Sequence, residues 1–167
     1  MDILHHAKSW AKAEVFSSRF FILFSVAFFL YSFWCYFNGT TAMASAYVLP
    51  MILTGSFLLA AGIGIYIANK RRVTSFEKDY HADKYAFIQS ELVRTKKSLV
   101  EYRTVVFIAI PILIAIASVL VYYIEHPTLR SSCISFIAMA LVILLVDSQA
   151  NARLENYHAQ LTSEIKK

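Results

Sequence analysis

Glycine, proline and cysteine are scarce in this chain, with four, three and two copies in 167 residues. Two cysteines make one disulfide at most, so no covalent framework can stand in for a packed core. They form no Cys-x-x-Cys pair, which disfavours a thiol oxidoreductase. A Gly-rich phosphate loop, a Ser/His/Asp set and the paired acidic motifs of membrane phosphotransferases are also missing. Long stretches carry no charge at all, and His5, His6, His81, His126 and His158 fall outside those stretches. Haem held between facing membrane helices would need histidines inside them. The expectation is a non-enzymatic chain with no cofactor, no metal and no catalytic residue.

What fills the chain instead is apolar. Hydrophobic residues make up 58% of it, and four apolar runs occupy residues 20–37, 47–68, 104–124 and 132–149. An α-helix needs ~20 such residues to cross ~30 Å of hydrocarbon. Inside lipid every backbone N–H and C=O must be satisfied internally, and these runs are too continuous for barrel strands. The predicted fold is therefore an all-α membrane protein: one domain, four transmembrane helices in an antiparallel bundle, with helical extensions into the cytoplasm. The 18 residues before the first run mix Lys8 and Lys12 with Asp2 and Glu14, unlike a signal n-region, so that run is expected to be retained.

Charge sets the orientation. Fifteen of the sixteen Lys and Arg residues lie before the first run, between the second and third, or after the fourth; Arg130 alone lies in an outer connection. By the positive-inside bias both termini and the 69–103 segment face the cytoplasm. The net charge of +5 is explained by this bias, so nucleic acid is not expected as a partner. The compactness and minimal outer loops suggest a bacterial inner membrane.

Residues 69–103 contain no Pro or Gly, yet the chain must reverse within them, and Asp79, His81 and Asp83 suit a turn. Spans two and three are then expected to extend beyond the bilayer as a helical hairpin. Apolar stripes before span one (Ile3, Ala7, Trp10 and Glu14, or Leu4, Ala11 and Val15) and after span four (Leu154, Tyr157, Leu161) suit a protruding four-helix bundle. The competing arrangement lays the N-terminal helix flat in the interface. Phe76 to Ala82 and Leu154 to Ala159 resemble each other with one gap, which suggests two related helix pairs.

Several residues stand out as candidate sites. Ser56, Ala60, Gly64 and Ala68 recur at four-residue steps and form a small-residue ridge, expected to pack within the chain, with self-association as the alternative. Pro111 is expected to kink span three. Asp147 is the one ionisable residue within a run and lies near its inner end, where it is solvated or forms an ion or pairing site. Cys35 and Cys133 come together by topology at the outer side, as two buried thiols or as a disulfide. Phe76, Tyr80, His81, Tyr157 and His158 mark a candidate partner surface at the cytoplasmic tip.

The expected partners are the lipid bilayer and either a second protein or another copy of the chain. The leading expectation is an accessory or interaction subunit that works through its cytoplasmic extension. A small homo-oligomeric channel or transporter, or an immunity-type protein against a membrane toxin, is the alternative.

Overall fold

The computed structural model describes residues 3–165; Asp2, Lys166 and Lys167, which enter the charge map, lie outside them. Six α-helices follow in order: α1 (Ile3–Asn38), α2 (Ala42–Ala46), α3 (Val48–Ala82), α4 (Lys84–Glu101), α5 (Ile110–Tyr123) and α6 (Pro127–Ile165). A π-helical segment, Tyr102–Ala109, joins α4 to α5 without a break. No strand occurs among the described residues. Four helical stretches are long and apolar enough to cross a membrane: α1, α2 with α3, α4 through α5, and α6.

Each stretch is longer than a bilayer requires. The 36 residues of α1 run about 54 Å at ~1.5 Å per residue, against ~30 Å of hydrocarbon. The excess forms a second, polar-coated half with its own core. There Ile3, Ala7, Trp10 and Ala11 of α1 meet Phe76 of α3, Phe87 and Ile88 of α4, and Leu154, Tyr157 and Leu161 of α6. The N-terminal helix thus belongs to a four-helix bundle and does not lie flat. In the apolar half the core is smaller: Phe21, Leu58, Val142 and Val146, flanked by Phe24, Phe28, Ile65, Met139 and Ile143.

The chain reverses at a single residue. Asp83 leaves the helical region at φ −156°, and its carboxylate accepts the Ala86 N–H at 3.0 Å, capping α4. A capping Asp satisfies an amide that the helix itself cannot.

The two halves of the chain pack differently. Along α1 the residues facing α3 repeat every seven positions as Ala11, Ser18, Ser25 and Ser32, all buried. Along α3 Gly55, Gly62, Asn69 and Phe76 do the same. A seven-residue repeat of small side chains lets two helix backbones approach closely along a left-handed seam. The approach is close enough for side chain to reach backbone. Ser25 Oγ donates to the Gly55 carbonyl and Ser32 Oγ to the Val48 carbonyl, each at 2.8 Å. A methyl group at Gly62 would stand 2.9 Å from Phe21 Cβ and 3.2 Å from the Ser18 carbonyl oxygen.

This seam corrects the expected one. Ser56, Ala60, Gly64 and Ala68 are exposed, and nothing lies within 4 Å of a Cβ built on Gly64. The ridge is turned away from α1 because Gly55 and Gly62, on the opposite side of α3, hold that interface. In the second pair, α5 packs on α6 and touches neither α1 nor α3. Its only buried residue is Ala117. Pro111 has no N–H to give, and the backbone accommodates it through the π segment on its N-terminal side, where Ile110 N–H reaches back five residues to the Val105 carbonyl.

Candidate functional site

Where the polar half meets the apolar half, α1, α3, α6 and the α4–π junction enclose a cavity of about 330 Å³. Its walls carry Trp10, Glu14 and Ser17 from α1, Asn69 and Arg72 from α3, Arg94, Ser98 and Tyr102 from α4 and the π segment, and Asp147 from α6. The volume is within the ~300–1,000 Å³ typical of small-molecule sites. Gly64 and Ala68 also border it, so the end of the exposed ridge nearer the polar half leads into the cavity.

Two ion pairs brace this region. Arg153 donates through Nε and Nη2 to Glu14 Oε1 at 3.1 and 3.0 Å, and through Nη2 to Ser17 Oγ at 2.8 Å. Arg94 grips Glu91 with two bonds of 2.7 Å, and Tyr157 OH donates to the same carboxylate at 3.0 Å. Trp10 stacks on Tyr157 at 5.5 Å between centroids, and the Arg94 guanidinium lies 4.6 Å from its ring. Glu14 and Glu91 are buried, so each needs its arginine. Burial pushes the Glu14 carboxyl above its ordinary range, opposed chiefly by Arg153. Burial, and then the neighbouring Arg94, lower Arg72.

Two charged groups at the cavity remain without such partners among the described residues. Arg72 forms no ion pair; its guanidinium donates to Asn69 Oδ1 at 2.8 Å and lies 5.9 Å from the Trp10 ring centroid. Asp147 has neither an ion pair nor a hydrogen bond, although it lines the same space. The indole N–H of Trp10 is buried and unbonded. Asp147, singled out from the sequence, thus lines one cavity with Arg72, Arg94, Tyr102 and Trp10, of which the sequence marked only Trp10, as part of an apolar stripe. The signals that point to this network are the carboxylate of Glu14 within an apolar stripe and that of Glu91 among Ile88, Leu92 and Thr95.

The candidate partner surface is corrected. Phe76 and Tyr157 are 4% and 2% exposed and belong to the bundle's own core, with Tyr80 packed against it. His158 Nδ1 shares a 2.6 Å hydrogen bond with Thr95 Oγ1, while His81 is exposed beside the Tyr80 ring. Residues chosen for their apolar spacing are buried because the same spacing makes a helix interior. On α4 the reverse face is the bare one: Tyr85, Val93 and Val100 are 67%, 70% and 60% exposed, opposite Phe87, Ile88, Glu91 and Thr95. Cys35 and Cys133 are free thiols, the first buried, and no disulfide joins them. Among the described residues no group of three or more His, Cys, Asp or Glu side chains could hold a metal ion.

No protein-family model, curated protein or solved structure matches this chain.

Proposed function

We propose that this chain is a non-enzymatic multi-pass protein of a bacterial inner membrane, with both termini inside, that serves as an interaction subunit through its cytoplasmic bundle. The observation that carries this reading is the outer face of α4. Tyr85, Val93 and Val100 form an apolar stripe on a helix of the polar half. Water is a poor solvent for such a stripe, and a partner helix is a good one. Gln89 and Lys96 alternate with them on the same side of α4 and would add polar contacts to the apolar ones. The basic excess on this half supports its cytoplasmic orientation. Its partner is a second protein rather than nucleic acid, since the stripe is apolar.

Native mass spectrometry of the full chain, gently extracted from its host membrane, tests the proposal. A second polypeptide recovered in stoichiometric amount, and lost on Val93→Glu, is the expected result. Unchanged recovery of that polypeptide with Tyr85→Glu and Val93→Glu combined overturns it.

Self-association, as in a small channel, has one observation in its favour: the Ser56, Ala60 and Gly64 ridge is uncovered. A homo-oligomer recovered without a second polypeptide, and dissociated by Gly64→Leu, moves the assignment there.

A further inference from the structure

The cavity at the junction has a charge pattern that a simple ion does not match. Glu14 and Glu91 are already engaged by Arg153 and Arg94. What remains is one cation, Arg72 on α3, and one anion, Asp147 on α6, around one space. An inorganic anion drawn to Arg72 would face Asp147; a metal cation drawn to Asp147 would face Arg72. A ligand carrying both signs, separated by a short linker, satisfies both at once.

The depth of the cavity narrows the ligand further. Arg72 follows the second apolar run by four residues, Tyr102 precedes the third by two, and Asp147 lies in the last turn of the fourth. All three therefore stand at the inner headgroup level. The cavity also has a lateral approach from the bilayer, because α3 touches neither the π segment nor α5 and Gly64 adds no side chain.

We propose that the cavity binds the headgroup of a zwitterionic aminophospholipid from the cytoplasmic leaflet, with the phosphodiester on Arg72 and the primary ammonium on Asp147. The acyl chains lie in the gap between α3 and α5, against Gly64 and Ala68. Arg suits a phosphodiester because its planar donors meet two oxygens together. A primary ammonium donates hydrogen bonds to a carboxylate, which a quaternary ammonium cannot. Basic pockets between membrane helices on the cytoplasmic side are known recognition sites for lipid headgroups. This inference rests on the inside orientation of the polar half and not on any protein partner.

The test uses the full chain in nanodiscs of equal parts phosphatidylethanolamine, phosphatidylglycerol and phosphatidylcholine, released into the gas phase so that retained lipid is weighed. One retained phosphatidylethanolamine, preferred by about tenfold over either competitor, is the expected result; that factor is the worth of one charge-assisted hydrogen bond. Asp147→Asn should abolish the preference while a phospholipid is still retained. Arg72→Gln should release all three lipids, with the melting temperature in detergent confirming that the variant folds. Equal retention of phosphatidylglycerol by the unmodified chain overturns the proposal without reference to any variant. Displacement of the lipid by soluble glycerophosphoethanolamine at equal concentration also overturns it, because the bilayer would then not be the source.

Discussion

The two helix pairs of this chain, α1 with α3 and the α4–α5 stretch with α6, are both long and apolar enough to cross a membrane but are held by different means. Of the most apolar 18-residue window, 28% is buried in the first span and in the second, but 11% in the third. The difference lies in side-chain size at the interface. Serine and glycine every seven residues bring α1 and α3 into contact along their whole length, with hydroxyls bonded to the opposite backbone. On α5 eight of the 14 residues are isoleucine, leucine or valine, and only Ala117 is buried. Lipid tails are as apolar as leucine, so bulky residues gain little by leaving lipid for another helix. The second pair is joined to the first through α6 in both halves: Val142 and Val146 pack with Phe21 and Leu58, and Arg153 pairs with Glu14.

The strongest break of this contrast is Gly62→Leu. Its side chain meets Phe21 Cβ and a backbone carbonyl, neither of which can swing aside, so the seam must part. The expected loss is about 3 kcal/mol, at the upper end for overpacking, read from denaturant unfolding in mixed micelles. A loss comparable to that of Gly64→Leu would refute the seam.

Next is the link between the pairs. Arg153→Ala leaves Glu14 buried without its main counter-charge, at an expected cost of about 2 kcal/mol, below the full value for a buried pair because Arg153 is partly exposed. Adding Glu14→Gln should restore most of that loss, since the uncompensated charge is then gone. The pH dependence has a definite sign. A carboxyl whose folded pKa is raised costs stability above that pKa, and the cost is relieved as pH falls through it toward the ordinary value. Arg153→Ala protein should therefore recover stability between neutral and mildly acid pH, and the double variant should not.

Ser25→Ala removes one hydroxyl-to-carbonyl bond of the seam, with an expected cost of about 1 kcal/mol. The smallest effect belongs to Gly64→Leu, which meets open space and should change the stability of the single chain by roughly 0.5 kcal/mol or less. Its consequence should instead appear in retained lipid or in self-association.

Much of this architecture is legible in the residues. Four apolar runs, a turn near Asp83 and apolar stripes on the inner segments specify four long helices and a protruding bundle. The seam was not legible in the same way, because a four-residue ridge of small side chains and a seven-residue one stand on the same helix. Either suits close packing. Which of them is used depends on α1, where Ser18, Ser25 and Ser32 match the seven-residue series. The cavity was still less legible: Glu14 and Arg153 lie 139 positions apart, and the apolar stripe around Glu14 does not say which cation meets it.

The amino-acid sequence by itself determined the class of solvent, the number of spans and the distribution of cations, because these follow from local hydropathy and charge. The tertiary structure alone decided which glycines pack, which aromatic residues are core rather than surface, and that one arginine and one aspartate where the polar half meets the apolar half share a cavity. Those outcomes depend on how four helices rotate about their axes, and rotation is set by the neighbours each helix meets.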